Sequence, residues 1–158
     1  MWLLLLGLIS SCSFIDNDKE VSSAKNIHYK VSFKLEGWQE LKDDQSDYGW
    51  MNQDDGRILI SNSFCNEFQN QSLSLLALKT INSMSEGKLT QEKKISFHNR
   101  EALEVEGQGK VDGVGVNLKV LNTRRNNCYF DFIAITPLSV GTKGSEDFKI
   151  FLESVEFK

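Results

Sequence analysis

Residues 111–136 read VDGVGVNLKVLNTRRNNCYFDFIAIT, and this stretch decides the fold. Val114, Val116, Leu118 and Val120 alternate with Gly115, Asn117 and Lys119, a period of two that marks a strand with one buried face. Cys128–Thr136 is dense in aromatic and β-branched residues, as a core strand requires. Arg125-Asn126-Asn127 stands between them as a turn, because asparagine tolerates positive φ. The two strands therefore form an antiparallel pair.

Outward from this pair the same logic repeats. Lys88–Phe97 and Glu101–Gly107 flank His98-Asn99-Arg100, a second turn. Near the start, Ile27, Tyr29, Val31, Phe33 and Leu35 alternate with polar partners, which predicts a ten-residue strand closed by Gly37-Trp38. Tyr48–Met51 and Arg57–Asn62 bracket Asp54-Asp55-Gly56, a hairpin signal. Between the two β halves, Leu73, Leu76, Ala77, Ile81 and Met84 fall on one stripe of a helix over Asn70–Met84, with Gly87 as its terminator. The chain closes on a second helix with Ser145 as cap and Phe148, Phe151, Leu152 and Val155 on its buried stripe. The sum is an α+β domain: an antiparallel sheet of about six strands flanked by helices, occupying residues 27–158.

Composition agrees with one packed domain. The chain has 158 residues, 40% hydrophobic and 25% charged, with ten Phe to fill a core. A formal charge of −4 lacks the positive field that draws in phosphate backbones, which argues against nucleic acid as a partner. Lys93-Lys94 and Arg124-Arg125 are the basic clusters, and each reads as solvation of a strand end or turn.

The first residues carry a different message. Trp2–Ile9 is apolar but far shorter than the roughly 20 residues that span a bilayer, so it has the length of a signal-peptide core. Ile9-Ser10-Ser11-Cys12 resembles a lipobox, the processing motif of bacterial lipoproteins. The resemblance implies a signal peptide over 1–11, cleavage before Cys12, and esterification of its thiol to membrane lipid. Two or three acyl chains such as palmitate give stable anchoring, at about 0.8 kcal/mol per buried methylene. Residues 12–26 then form the lipidated cysteine and a polar tether. Ser13 after the cysteine implies an outer-membrane address under the sorting rule of enteric-type bacteria. No Lys or Arg precedes the apolar run, so either the positively charged region is minimal or the start lies upstream.

The order of elements from Ile27 to Lys158 resembles the PsbP-like fold family. The residues carrying that likeness are Gly37-Trp38 after the first strand and the closing aromatic segment Phe148–Phe157. The family includes extrinsic photosystem subunits, an import factor that binds a small GTPase, and bacterial lipoproteins. The resemblance implies a sheet flanked by helices and a non-catalytic, partner-binding role; it carries over no binding residue.

Candidate chemistry is sparse. Beyond Cys12, Cys65 and Cys128 are either paired or separate buried thiols; a bond would add about 4 kcal/mol in the chain-entropy model. No His or Cys stands near either in a metal-ligand spacing, so no metal and no cofactor are expected. His28 and His98 read as surface residues, and no nucleophile motif accompanies them. Gly107, Gly109, Gly113 and Gly115 read as a hairpin with bulges instead of a phosphate loop. Asp43, Asp44, Asp47, Asp54 and Asp55 form acidic loops that could hold a cation such as calcium, but lack the regular spacing of an EF-hand.

The leading expectation is a lipid-anchored envelope module that binds a protein partner and has no catalytic residue. The alternatives are an envelope enzyme whose site assembles only in the fold, and a cation-binding module using the acidic loops.

Overall fold

The structure is a computed structural model that describes residues 28–42 and 45–158. The expected signal peptide over residues 1–11, Cys12 and the expected tether, as well as Asp43 and Asp44 of the acidic loops, lie outside the described residues.

The described residues form nine strands and two helices in the order β1 (Tyr29–Val31), β2 (Trp38–Glu40), β3 (Tyr48–Asn52), β4 (Ile58–Cys65), α1 (Leu73–Asn82), β5 (Ser85–Phe97), β6 (Arg100–Val111), β7 (Val114–Arg125), β8 (Cys128–Pro137), α2 (Gly144–Glu153) and β9 (Val155–Phe157). A 3-10 segment, Leu138–Lys143, joins β8 to α2. Seven strands build one antiparallel sheet in the order β2-β3-β4-β8-β7-β6-β5, and β1 pairs with β9 in a separate two-stranded piece. The architecture is α+β, with one strand more in the main sheet than the periodicity indicated.

The quoted stretch folds as read. β7 and β8 pair from Val116 opposite Pro137 to Arg125 opposite Cys128. The turns are tighter than three residues, because both central positions take positive φ: His98 and Asn99, Asp112 and Gly113, Asn126 and Asn127. Two-residue turns of this type match the twist of the flanking strands, and they release Arg100 and Arg125 into strands.

Opposite faces of the sheet bury different sets of side chains. On one face Val105, Val116, Leu118 and Val120 pack with Ala77 and Ile81 of α1. On the other, Phe130, Phe132 and Leu121 pack with Phe148 and Phe151 of α2 and with Tyr29, Val31 and Phe33. Tyr29, fully buried, meets Phe130 and Phe132 edge-on with ring centres 5.4 and 5.9 Å away. Rings in this geometry are worth about 0.5–1.5 kcal/mol per pair beyond their buried area.

Three expectations are corrected. The ten-residue first strand shrinks to Tyr29–Val31; the alternation of burial continues through Phe33, but the chain beyond Val31 has left its partner strand. Gly87 does not end α1, which stops at Asn82 with Ser83 as C-cap. Gly87 instead lies in β5, where a Cβ would stand 2.1 Å from the Ile81 carbonyl oxygen, so glycine lets the strand pass beneath the helix end. The clash is with backbone that no rotamer can move, and Gly87→Ala should cost about 1–3 kcal/mol in urea denaturation. Finally, α2 begins at Gly144 with Lys143 as N-cap, and it ends at Glu153. Val155, Glu156 and Phe157 turn away as β9 because their alternation fits the edge of β1.

The glycines of β6 have a packing reason. A Cβ on Gly107 would sit 2.4 Å from Ile81 Cδ1, and one on Gly109 would sit 2.9 Å from Met84 Cβ. They open space for α1 on the sheet, while the register shifts fall in β5. Lys93 and Lys94 are exposed on β5, an edge strand that charge protects from pairing with another chain. Among the described residues no helix is long and apolar enough to cross a membrane.

Candidate functional site

Cys65 and Cys128 are directly opposite in the β4–β8 register and are joined by a disulfide across 63 residues of sequence. Cys128 is buried and Cys65 partly exposed. Of the two pairings left open by the sequence, the structure holds the bonded one. The β1–β9 piece lies at this end of the sheet and delivers His28: one imidazole nitrogen and both sulfurs lie within 4.8 Å of one another. The Lys158 amide donates to the His28 carbonyl at 3.1 Å and fixes its backbone. Sequence spacing could not reveal this trio, because it depends on strands far apart in the chain.

The neighbouring basic pair serves the same end of the domain. Arg124 donates to the carbonyls of Phe68 (2.9 Å) and Gln71, tying the α1 approach loop to β7. Arg125 places its guanidinium 5.3 Å from the Phe157 ring centre. His98 packs edge-on against Phe97 and Phe157, with ring centres 4.5 and 5.3 Å away.

Toward the opposite end, about six to eight strand residues or roughly 20–26 Å away, lies a cavity of about 320 Å³. Gln108, Asn117, Lys119 and Thr136 form its floor, and Gly144 and Ser145 of α2 form part of its wall. Lys119 is held between Glu106 (3.1 Å) and Glu104 (3.6 Å), and Gln108 Nε2 donates to Asn117 Oδ1 at 2.9 Å. The same end exposes Val111, Val114 and Leu138, with Leu138 seated against Gly115.

Among the described residues, Asp47 does not converge with Asp54 and Asp55. Asp47 precedes β3 and Asp54-Asp55 follow it, so five extended residues separate them by about 17 Å. Asp47 Oδ2 accepts from Ser63 Oγ (2.6 Å) and Tyr29 Oη (3.2 Å), while both oxygens of Asp55 accept from Arg57 Nε at 2.9 and 3.0 Å. Arg57 also reaches Asp147 on α2 and lies over Trp38. These carboxylates work as fasteners within the fold.

One buried carboxylate is unusual. Asn62, Asp131 and Asn122 stand opposite one another on β4, β8 and β7. Among the described residues Asp131 Oδ1 and Asn122 Oδ1 are buried without a partner. Burial pushes the Asp131 carboxyl up to about 6; the Asn62 hydrogen bond opposes this only in part, and the Asp47 charge adds to it. The folded state therefore keeps a proton that the unfolded chain, titrating near 3.8, has already lost. Stability from this residue is full below pH ~4 and falls as pH rises through ~6, by about 2–3 kcal/mol. Asp131→Asn should remove that fall, so the variant gains on the parent between pH 4 and 7 in paired denaturation curves. Parallel curves across that range would refute the assignment.

No family model matches the chain, and no curated protein matches its sequence. Solved structures do. LpqN of Mycobacterium tuberculosis, described as involved in cell envelope biogenesis, superposes with a TM-score of 0.58 at 8% identity, covering 82% of this chain and 83% of its own. The cyanobacterial PsbP protein of Synechocystis gives 0.56 at 10% identity, over 83% of this chain and 87% of its own. A Bacteroides thetaiotaomicron protein gives 0.54 at 11% identity over 83% of this chain, which spans only 45% of that protein's length. At such identities the likeness speaks of fold alone: the described domain has the PsbP-like fold.

Proposed function

We propose that this chain is a lipid-anchored, non-catalytic binding module of the bacterial envelope, tethered through Cys12 on the outer membrane and engaging a protein partner with the end of its sheet farthest from the tether. The observation that carries this reading is polarity. The described chain enters at His28, beside the disulfide, where a hollow of about 390 Å³ lined by Glu67, Arg124, Arg125 and Asn127 has no aliphatic side chain in its lining; the hollow of about 320 Å³ at the other end stands beside exposed Val111, Val114 and Leu138. Exposed apolar side chains beside a polar hollow are the usual make-up of a protein contact.

Two further observations support it. The Cys65–Cys128 bond fits an oxidising compartment outside the cytoplasm. The envelope role stated for LpqN accompanies the same fold.

The test is site-specific photocrosslinking in cells that process lipoproteins. A crosslinker replacing Val114 should capture a discrete envelope protein, and one replacing exposed Glu67 at the tethered end should not. Cys12→Ala should abolish lipid labelling, release the domain to a soluble fraction and remove the Val114 adduct. Equal yields from both ends would overturn the proposed polarity. An unlabelled Cys12 in the parent chain would overturn the anchor.

A further inference from the structure

The sulfur end holds more chemistry than a structural crosslink requires. His28 brings an imidazole nitrogen within 4.8 Å of both sulfurs, through strand pairing that places residue 28 beside residues 65 and 128. A zinc ion bonded at about 2.3 Å to each thiolate and about 2.0–2.1 Å to a histidine nitrogen holds those donors roughly 3.5–4 Å apart. The imidazole nitrogen is already within 4.8 Å of both sulfurs, while the sulfurs themselves stand at bonding distance. Opening the sulfur–sulfur bond lets the two thiolates move apart toward the zinc spacing, while the β4–β8 register keeps their backbones opposite each other.

We propose that Cys65, Cys128 and His28 form a redox-gated site for a soft or borderline cation, Zn(II) or Cu(I), closed by the disulfide and opened by its reduction. The first step is two-electron exchange with a dithiol reductant. The Cys65–Cys128 bond breaks, the reductant becomes a disulfide, and its two protons pass to the released sulfurs. In the second step the cation displaces both protons and binds two thiolates and the neutral imidazole. Thiolate and imidazole select these ions over hard cations such as magnesium and calcium. Cys65 is partly exposed and His28 exposed, so reductant and metal arrive from that side, while Cys128 stays buried. Three protein donors would leave the fourth position of a tetrahedral ion to water or to a donor from a partner.

The experiment uses the full chain with Cys12→Ser, so that no other thiol competes, reduced by a phosphine under anaerobic conditions and titrated with Co(II) as a spectroscopic stand-in for Zn(II). The expected result is one equivalent of Co(II) with an intense thiolate-to-metal absorption, displaced by Zn(II), and absent from the oxidised chain. His28→Ala should weaken binding about tenfold or more and alter the visible ligand-field bands, as loss of a first ligand demands. Circular dichroism follows the fold throughout. Failure of the folded, reduced chain to give the thiolate band would overturn the site. So would binding by His28→Ala indistinguishable from the parent, or a reduced chain that unfolds and is not restored by Zn(II).

Discussion

Replacing Cys65 and Cys128 together by serine is expected to lower the unfolding free energy by about 4 kcal/mol, the chain-entropy value for a loop of this length. The bond spans 63 residues, from the end of β4 through α1, β5, β6 and β7 to the start of β8. Those elements include both central hairpins, so the crosslink removes much freedom from the unfolded chain. It also closes the last rung of the β4–β8 ladder, where strands would otherwise fray. Urea denaturation of parent and double variant measures the loss as a shift in midpoint. A loss below about 1 kcal/mol would mean that strand pairing alone holds this rung and the entropic account fails here. Since such domains are stable by only 5–15 kcal/mol, the variant sits near the margin and should also unfold faster at elevated temperature.

Arg57 carries the second large effect. Its side chain, 10% exposed, joins Asp55 in the β3–β4 turn to Asp147 in the first turn of α2, and its guanidinium also covers Trp38. Arg57→Ala should cost about 3 kcal/mol, because it leaves two half-buried carboxylates without their cation. Arg57→Lys should recover only part, since a single ammonium cannot serve two carboxylates in the manner of a planar fork. The pH dependence separates this from lost packing. Burial works against ionising Asp55, but the hydrogen bonds and charge of Arg57 outweigh it and hold its pKa below the ordinary value. The stability it brings is present above the ordinary carboxylate range and lost as pH falls through the lowered value. The cost of Arg57→Ala should therefore shrink on acidification; a cost unchanged down to pH 2 would point to packing instead.

How much of this was readable beforehand depended on range. The hairpins β5–β6–β7–β8 announce themselves, because His98-Asn99 and Asn126-Asn127 are local turn chemistry and the alternation on either side is local too. The helix stripe of Leu76, Ala77 and Ile81 is equally local. The short pairing of β1 with β9 was hidden: Ile27–Glu36 alternates well enough for a long strand, and nothing in it says that its partner is three residues long and lies at the far end of the chain. Val155 fell on the stripe of α2 by spacing alone, yet its position in β9 is decided by β1. The functional reading met the same barrier. Cys65 and Cys128 were singled out by type, but His28 joins them only through that distant pairing. The Asp55–Arg57–Asp147 fastener likewise links residues 90 apart, from segments whose charges read as ordinary solvated turns.

The pairing of β1 with β9 also dictates when the molecule can finish folding. Tyr29, at the centre of the aromatic core, belongs to a strand whose only ladder among the described residues is Val155–Phe157. A growing or threading polypeptide can form the long hairpins early, but Tyr29 has no seat until position 157 has emerged. The aromatic core around Tyr29 therefore closes last, after the hairpins and after Val155–Phe157 have been made.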